Sequence, residues 1–195
     1  MKSKQETRNA KLILASASPR RAELLRNAGI EFRVIPAHIP EELQAGEDPV
    51  HYVERLARDK ASAVSRQFPD APVLGADTTV CIAHHILEKP RDAADAARML
   101  RLLSGRTHEV TTGVCIIFGG IDRTEHETTR VQMSELSDRE IESYIVTGEP
   151  MDKAGAYAIQ GMASRWIPRI EGCYFNVVGL PVARVCRILR GLKVL

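Results

Sequence analysis

The sequence of 195 residues is long enough for one folded domain, or for two lobes that share a core. Its hydrophobic content of 44% and charged content of 27% are typical of a globular protein. The formal net charge of +2 is too small to indicate general nucleic-acid binding, so any affinity for anions must be local. No apolar run is long enough to span a membrane, so we expect no transmembrane helix and no membrane partner.

The start of the chain and its cysteines define the expected domain and compartment. We predict a flexible tail over residues 1–10, which are polar, and a single domain over residues 11–195. The cysteines stand singly in apolar surroundings, at positions Cys81, Cys115, Cys173 and Cys186. Because no CxxC pair or Cys/His cluster offers a metal cage, we expect reduced thiols in a cytoplasmic protein.

A short strand followed at once by a helix is predicted near the start of the chain. Leu12–Ala15 is an apolar run, and Ser18 with Pro19 marks a helix start that the Ser18 hydroxyl would cap. Arg20 and Arg21 then fall in the first helical turn, where the helix dipole disfavours cations. They gain most if an anion binds there together with the Ser16 hydroxyl. An ordinary capped helix with two solvated arginines remains equally consistent with these residues.

The next elements are a strand, an acidic loop and a long helix. Phe32–Ile35 alternates as a strand does, and the loop that follows contains Glu41, most simply a solvated side chain. Pro49 begins a helix that we expect to end near Phe68. Lys60 lies on or beside the apolar stripe of this helix, so it either extends to solvent or reaches a buried anion.

An aspartate lies in the middle of the following strand, predicted over Pro72–Ala83. Aspartate is depleted in strands, and a buried carboxylate is costly unless it is paired, hydrogen-bonded or bound to a metal. Asp77 is therefore a candidate for chemistry, in preference to a turn residue beside Gly75. The chain returns through a strand at Ile86–Pro90, where Pro90 keeps Lys89 extended.

Strands and helices continue to alternate toward the end of the chain. The predicted elements are a helix at Asp92–Leu103, a hairpin of Val110–Phe118 and Thr124–Met133, a helix from Ser137 to about Val146, strands at Met162–Ile170 and Cys173–Val178, and a helix from Leu180. This order predicts an α/β protein with a mixed, twisted sheet flanked by helices. The glycine-rich segment Gly148–Gly161 either approaches a ligand, with Gln160 as a polar contact, or is a structural loop.

The unusual residues are mainly cations and oxygen ligands, without a Ser-His-Asp or Cys-His set. They are Ser16, Arg20, Arg21, Glu41, Lys60, Asp77, Lys89 and Gln160. Several cations with a few carboxylates suit a polyphosphate ester together with Mg²⁺, which prefers one or two carboxylates and phosphate oxygens. A carboxylate could then orient or deprotonate a water molecule for attack on phosphorus.

Motifs along nearly the whole chain resemble the Maf family of nucleoside triphosphate pyrophosphatases. In order, they are SASPRRAELL from Ser16, Leu56-Ala57 leading to Lys60-Ala61, GADTTV from Gly75, ILEKP from Ile86, LSGRTHEV from Leu103, EPMDKAGAYAIQG from Glu149, and NVVGLP from Asn176. The resemblance implies a two-lobed α/β fold similar to inosine triphosphatase, with a central cleft, and a homodimer. It also implies hydrolysis of a nucleoside triphosphate to the monophosphate and pyrophosphate with Mg²⁺, or with another divalent cation such as Mn²⁺.

The resemblance also assigns roles to individual residues. Asp77 matches the proposed general base, and Glu41 matches an acidic residue that helps to hold the metal with Asp77. The positions that match phosphate contacts are Ser16, Arg20, Arg21, Lys60 and Lys89. The chain departs from the family at Pro40, where relatives commonly carry an acidic residue, and this weakens the assignment of Glu41.

Substrate preference follows from a further part of the resemblance. Thr78 and Gln160 resemble the branch that hydrolyses dTTP and UTP, and Arg20 joins them as a specificity residue. An amide such as Gln160 can pair with a carbonyl and an N–H on a pyrimidine edge. The implied role is removal of nucleotides, including modified ones, from the precursor pool. The alternatives are a 7-methyl-GTP or broad-specificity pyrophosphatase and a non-enzymatic regulator of septum formation.

Overall fold

The structure, a computed structural model, describes residues 11–195, so the predicted tail over residues 1–10 lies outside the described residues. The α-helices of this part are α1 Pro19–Asn27, α2 Pro49–Ser65, α3 Ala93–Leu103, α4 Asp138–Val146, α5 Tyr174–Val178 and α6 Val182–Gly191. The strands are β1 Leu12–Leu14, β2 Phe32–Val34, β3 Val73–Ile82, β4 His85–Leu87, β5 Thr107–Phe118, β6 Ile121–Gln132 and β7 Arg169–Glu171. No helix within residues 11–195 is long and apolar enough to cross a membrane.

The strands of residues 11–195 form one seven-stranded mixed sheet. Its order is β2-β1-β3-β5-β6-β7, with β4 paired to β3. Strand β1 runs parallel to both β2 and β3, whereas β4 is antiparallel to β3 and β7 is antiparallel to β6. Strands β5 and β6 form the predicted hairpin and are joined by a turn at Gly119 and Gly120, both at positive φ. The predicted α/β class with a mixed sheet is thereby confirmed.

The described residues divide into two compact units. Unit 1 contains residues 11–77, 113–126 and 179–195, and unit 2 contains residues 78–112 and 127–178. The divisions fall inside β3, β5 and β6, so each of these strands contributes residues to both units. Asp77 is the last residue of β3 in unit 1, and Thr78 is the first in unit 2.

Helix α2 packs directly against the sheet in unit 1. A Cβ atom added at Gly75 would lie 2.1 Å from the carbonyl oxygen of Ala57, and one added at Gly113 would lie 2.3 Å from that of Val53. Only glycine allows the helix backbone to approach β3 and β5 this closely. The surrounding core contains Ile13, Ala57, Ala61, Val64, Val73 and Cys115. This packing places Lys60, the residue before Ala61 on α2, next to β3.

Two strand predictions and one cap prediction were wrong. The segment predicted as a strand at Met162–Ile170 forms a 3₁₀ helix at Met162–Trp166 and only then the short β7. The predicted strand at Cys173–Val178 contains helix α5. Short apolar runs do not distinguish a buried strand from a buried helical segment, and the tertiary contacts decided. The Ser18 side chain makes no cap hydrogen bond.

The contacts of unit 2 show why these segments are helical. The Trp166 ring packs edge-on against Tyr144 of α4, with the ring centroids 5.4 Å apart. The Asn176 amide on α5 donates to the carbonyl oxygen of Val110 and to the Thr129 hydroxyl, at 2.8 and 2.9 Å. Helical backbone at these positions allows both side chains to reach partners on other elements.

Candidate active site

The start of α1 is joined to two distant segments through Arg21. Its Nε donates to the carbonyl oxygen of Gly179 at 2.8 Å, and its Nη1 donates to that of Ala76 at 2.9 Å and to Ser16 Oγ at 3.0 Å. Arg21 is only 8% exposed, whereas Arg20, on the same turn, is half-buried. Neutral oxygen acceptors within the protein therefore explain why Arg21, a cation, lies at the start of this helix.

A buried cation, Lys60, contacts two carboxylates, one of which belongs to Asp77, the residue after Ala76 on β3. Lys60 Nζ lies 2.7 Å from Asp77 Oδ1 and 2.7 Å from Glu41 Oε1. Lys60 and Asp77 are 6% and 8% exposed, and Glu41 is exposed. Of the two roles that the sequence left open for Lys60, the structure shows contact with a buried anion. Arg21 binds the carbonyl oxygen of Ala76, and Lys60 binds the carboxylate of the next residue, Asp77. The contacts of Arg21 and those of Lys60 therefore meet at β3.

Burial and charge act in opposite directions on the Asp77 carboxyl group. Its pKa is raised above the ordinary value mainly because burial disfavours the charged form. The positive charges of Lys60 and Arg21 lower the pKa and offset part of this effect, while the negative charge of Glu41 adds to it. The result is a carboxylate that is more basic than an exposed aspartate and is held against an ammonium group. Such a group suits proton transfer.

The loop that carries Glu41 is held by side chains of α2 that the sequence analysis did not identify. The Tyr52 hydroxyl donates to the carbonyl oxygen of Glu41 at 3.1 Å. Arg55 binds both carboxylate oxygens of Glu47, at 2.6 and 2.7 Å, and the carbonyl oxygen of Glu42 at 3.0 Å. The spacing of Tyr52 and Arg55, three residues apart before Lys60, was a signal that they share a helix face.

The residues around Lys60 fit a magnesium ion that is bound together with phosphate. Glu41 and Asp77 already converge on one positive centre. Magnesium takes one or two carboxylates and completes its shell with water and substrate phosphates. Within residues 11–195 there is no group of three or more His, Cys, Asp or Glu side chains placed to hold a metal, so an all-protein metal cage is absent from that part of the chain. The four cysteines are free thiols.

The remaining predicted site residues belong to unit 2. Lys89 is exposed between β4 and α3, and Gln160 is exposed shortly after a 3₁₀ turn at Ala154–Ala156. The two segments are linked because Gly155 N donates to the carbonyl oxygen of Glu88 at 3.2 Å. Gly155 has φ +70°, and a Cβ atom there would lie 2.9 Å from a methyl group of Val80. At Gly155 the glycine-rich segment therefore packs against β3 as a structural loop would, and its contact with a ligand stays a prediction.

Thr78 follows Asp77 on β3 but has different neighbours. Its hydroxyl lies 2.9 Å from that of Thr112, which donates in turn to the carbonyl oxygen of Asn176 at 3.1 Å. Successive residues on a strand point to opposite faces of the sheet. Thr78 is thus part of a hydroxyl network in unit 2, whereas Asp77 contacts Lys60 in unit 1.

The fold and this cluster define an α/β protein with a buried carboxylate held beside cations. The Maf-like protein family model matches residues 11–192. The chain is 65% identical over 184 residues to a dTTP/UTP pyrophosphatase of Koribacter versatilis, covering 94% of this chain and 95% of that protein. It is 49% identical over 181 residues to a dTTP/UTP pyrophosphatase of Vibrio cholerae, covering 92% of this chain and 97% of the relative.

The chain therefore belongs to the Maf-like protein family, and the predicted resemblance is confirmed. Among solved structures, it is similar to the Staphylococcus aureus Ham1 protein, with a TM-score of 0.53 and 12% sequence identity. That similarity covers 93% of this chain and 98% of the Ham1 chain. At this identity the likeness concerns the fold, and it agrees with the α/β class described above.

Proposed function

We propose that this protein is a nucleoside triphosphate pyrophosphatase that hydrolyses dTTP and UTP to the monophosphate and pyrophosphate. The observation that carries the proposal is the buried Asp77 carboxylate held by Lys60, in the same unit as Ser16 and Arg20. The 65% identity to a dTTP/UTP pyrophosphatase supports the choice of substrate. The biological role that follows is control of the nucleotide pool, including modified pyrimidine nucleotides.

In the proposed reaction, Asp77 accepts a proton from water as the water oxygen bonds to the α-phosphorus. The bond from that phosphorus to its bridging oxygen breaks, and pyrophosphate leaves. Lys60 holds the Asp77 carboxylate in place, while Arg20, Ser16 and Lys89 bind phosphate oxygens. When bound, Mg²⁺, or Mn²⁺ in its place, would withdraw electron density from phosphate oxygens, and Glu41 and Asp77 are the residues that would hold it.

Three further assignments belong to the same proposal. Thr78, Gln160 and Arg20 select the pyrimidine nucleotide. The protein acts as a homodimer in the cytoplasm, without nucleic-acid or membrane partners. Sedimentation analysis and cell fractionation test the assembly and the location directly, and substrate profiles of the Thr78→Ala and Gln160→Ala variants test the specificity residues.

The central experiment identifies the products. Purified protein with Mg²⁺ is incubated with dTTP, UTP, CTP, 7-methyl-GTP and ITP in water enriched in ¹⁸O. We expect dTTP and UTP to be used in preference, with pyrophosphate released and the label in the monophosphate. Orthophosphate released from the γ position would contradict the reaction. Preference for 7-methyl-GTP would contradict only the substrate assignment, and no turnover of any nucleotide would favour a regulatory role.

The first variant to test is Asp77→Asn. We expect hydrolysis to fall by about 10²–10⁴-fold, because loss of a positioned general base typically has this effect. The matched control is Asp70→Asn, since Asp70 is an exposed residue of unit 1 outside the cluster. Thermal melting checks that both variants fold. Full activity in folded Asp77→Asn would exclude Asp77 as the base.

A further inference from the structure

The Arg21 side chain is committed to groups of the protein itself. A guanidinium has one N–H on Nε and two on each Nη atom, each with a fixed direction. In Arg21, Nε is used by the carbonyl oxygen of Gly179, and Nη1 is used by that of Ala76 and by Ser16 Oγ. The side chain is also 8% exposed. This geometry is that of a group that joins segments, because most of its donors already point at protein oxygens.

Within residues 11–195, the Ser16 hydroxyl accepts two hydrogen bonds and donates none. Its Oγ accepts from Arg21 Nη1 at 3.0 Å and from the backbone N–H of Ser18 at 3.3 Å. A serine hydroxyl has two acceptor lone pairs and one donor hydrogen. Both acceptor positions are therefore occupied, and the hydrogen bonds of residues 11–195 provide no acceptor for the Ser16 O–H. Ser16 is 6% exposed, so this is a buried donor that needs an acceptor beyond those that residues 11–195 supply.

We propose that Arg21 is a positioning residue that does not contact the triphosphate, and that it orients Ser16 as a dedicated donor to a phosphate oxygen. This inference rests on the proposed function and changes one role within it, since the family resemblance placed Arg21 among the phosphate contacts. A phosphate oxygen only accepts hydrogen bonds, so it matches a hydroxyl that only donates. By donating to a lone pair of Ser16 Oγ, Arg21 leaves the Ser16 hydroxyl able only to donate. Arg20 and Ser16 then contact phosphate, and Arg21 acts through Ser16.

A double-mutant cycle tests whether Arg21 acts through Ser16. Binding of inorganic tripolyphosphate to the full chain is measured by calorimetry for wild type, Ser16→Ala, Arg21→Lys and the double variant. Arg26→Lys, on the exposed last turn of α1, is the matched control and should bind as wild type does. Thermal melts report the folded fraction. The cycle measures binding and not hydrolysis. A protein that binds tripolyphosphate but hydrolyses no nucleotide would contradict the proposed function and would leave the result of the cycle unchanged.

We expect each single substitution to weaken tripolyphosphate binding by about tenfold, the effect of one charge-assisted hydrogen bond. The double variant should bind no more than about threefold weaker than Ser16→Ala, since residues that act through one contact are not additive. Losses that multiply would show that Arg21 contributes independently of Ser16, and they would overturn the proposal. A purely structural effect of Arg21 would also add to that of Ser16→Ala, so the cycle separates the two roles.

A second measurement uses only the wild-type protein, in case Arg21→Lys does not fold. The protein is treated with phenylglyoxal, with and without tripolyphosphate, and modified arginines are identified by peptide mass spectrometry. Exposed Arg26 serves as the reactive reference. We expect Arg21 to stay unmodified in both samples because it is buried and three of its five N–H groups point at protein oxygens. Modification of Arg21 in the free protein, with protection by tripolyphosphate, would show direct contact with phosphate and overturn the proposal.

Discussion

Two buried basic side chains avoid an unpaired buried charge in different ways: Lys60 is paired with carboxylates, and His108 stays neutral. Lys60 contacts two carboxylates, so its burial is offset by opposite charges. His108 is 2% exposed, and its Nε2 lies 2.8 Å from the hydroxyl of Tyr157, a neutral group. Its Nδ1 is buried without a hydrogen-bond partner within the described part of the chain. Burial lowers the pKa of His108 from 6.5 to about 4, so the ring is neutral in the folded protein.

The His108 ring predicts acid sensitivity of the fold. The unfolded chain binds a proton at His108 near pH 6.5, whereas the folded protein does so only near pH 4. The unfolded state therefore holds more protons between these values, and the free energy of unfolding falls as the pH drops from 6.5 to 4. The contribution of His108 to this loss is roughly 3 kcal/mol.

Comparison with His108→Gln isolates this contribution, because other titrating groups are shared. The free energy of unfolding of both proteins is measured in urea from pH 7.5 to pH 4.5. The wild type should lose stability relative to the variant as the pH falls below 6.5. A difference between the two proteins that does not change with pH would show that His108 is not buried as a neutral ring.

At the scale of elements, α2 organises the site in unit 1. Tyr52 and Arg55 hold the loop that contains Glu41, and Lys60, further along the same helix, holds the Glu41 and Asp77 side chains. The helix itself begins with an Asp48 carboxylate that accepts from the N–H groups of Val50 and His51. One helix therefore sets both the backbone and the side-chain position of the loop carboxylate.

Arg55→Ala should loosen this loop without unfolding the protein. We expect the Mg²⁺ concentration needed for half-maximal hydrolysis to rise several-fold, because Glu41 would lose the support of the Glu47 and Glu42 contacts. The free energy of unfolding should fall by about 1–2 kcal/mol, because the charged hydrogen bonds of Arg55 to Glu47 are lost.

The matched control is Arg58→Ala on the same helix. Arg58 pairs with Asp122 through side chains that are 50% and 42% exposed, and neither residue belongs to the loop. Its Mg²⁺ dependence should equal that of wild type. An unchanged Mg²⁺ dependence in Arg55→Ala would show that the loop is positioned by other contacts.

At the scale of the molecule, the site depends on the close contact of α2 with the sheet. Gly75 and Gly113 lie on β3 and β5, and both face backbone atoms of α2 at distances that exclude a Cβ atom. Backbone atoms of a packed helix cannot move independently, so any added methyl group must displace the helix as a body. The position of Lys60 relative to Asp77 is therefore coupled to the packing of the core.

Gly113→Ala should reduce both stability and activity. The new Cβ would lie 2.3 Å from the carbonyl oxygen of Val53 and 2.5 Å from its carbonyl carbon. Overpacking of this kind lowers the free energy of unfolding by roughly 1–3 kcal/mol or more. Urea unfolding measures the loss. The control is Gly191→Ala at the end of α6, where no atom lies within 4 Å of an added Cβ. Equal stability of the two variants would contradict the close packing of α2.

The local elements could be predicted because their causes are local. Pro19 and Pro49 begin helices, Gly119 and Gly120 form the turn of a hairpin, and continuous apolar runs mark buried strands such as β1. The predictions failed at Met162–Trp166 and at α5, where short apolar runs are compatible with either conformation and contacts with Tyr144 and Val110 decided.

The sequence by itself determined the α/β class, the family, and the need of a buried Asp77 for a partner, whereas it left Lys60 either directed to solvent or paired with an anion. A carboxylate in a strand and a lysine on an apolar stripe are visible wherever they occur, because burying either alone is costly. Only the tertiary structure decided that they pair with each other, that Glu41 joins them, and that Arg21 binds oxygens of Ser16, Ala76 and Gly179, up to 158 positions away. Periodicity specifies which face of an element is buried, whereas its partners depend on how the elements pack.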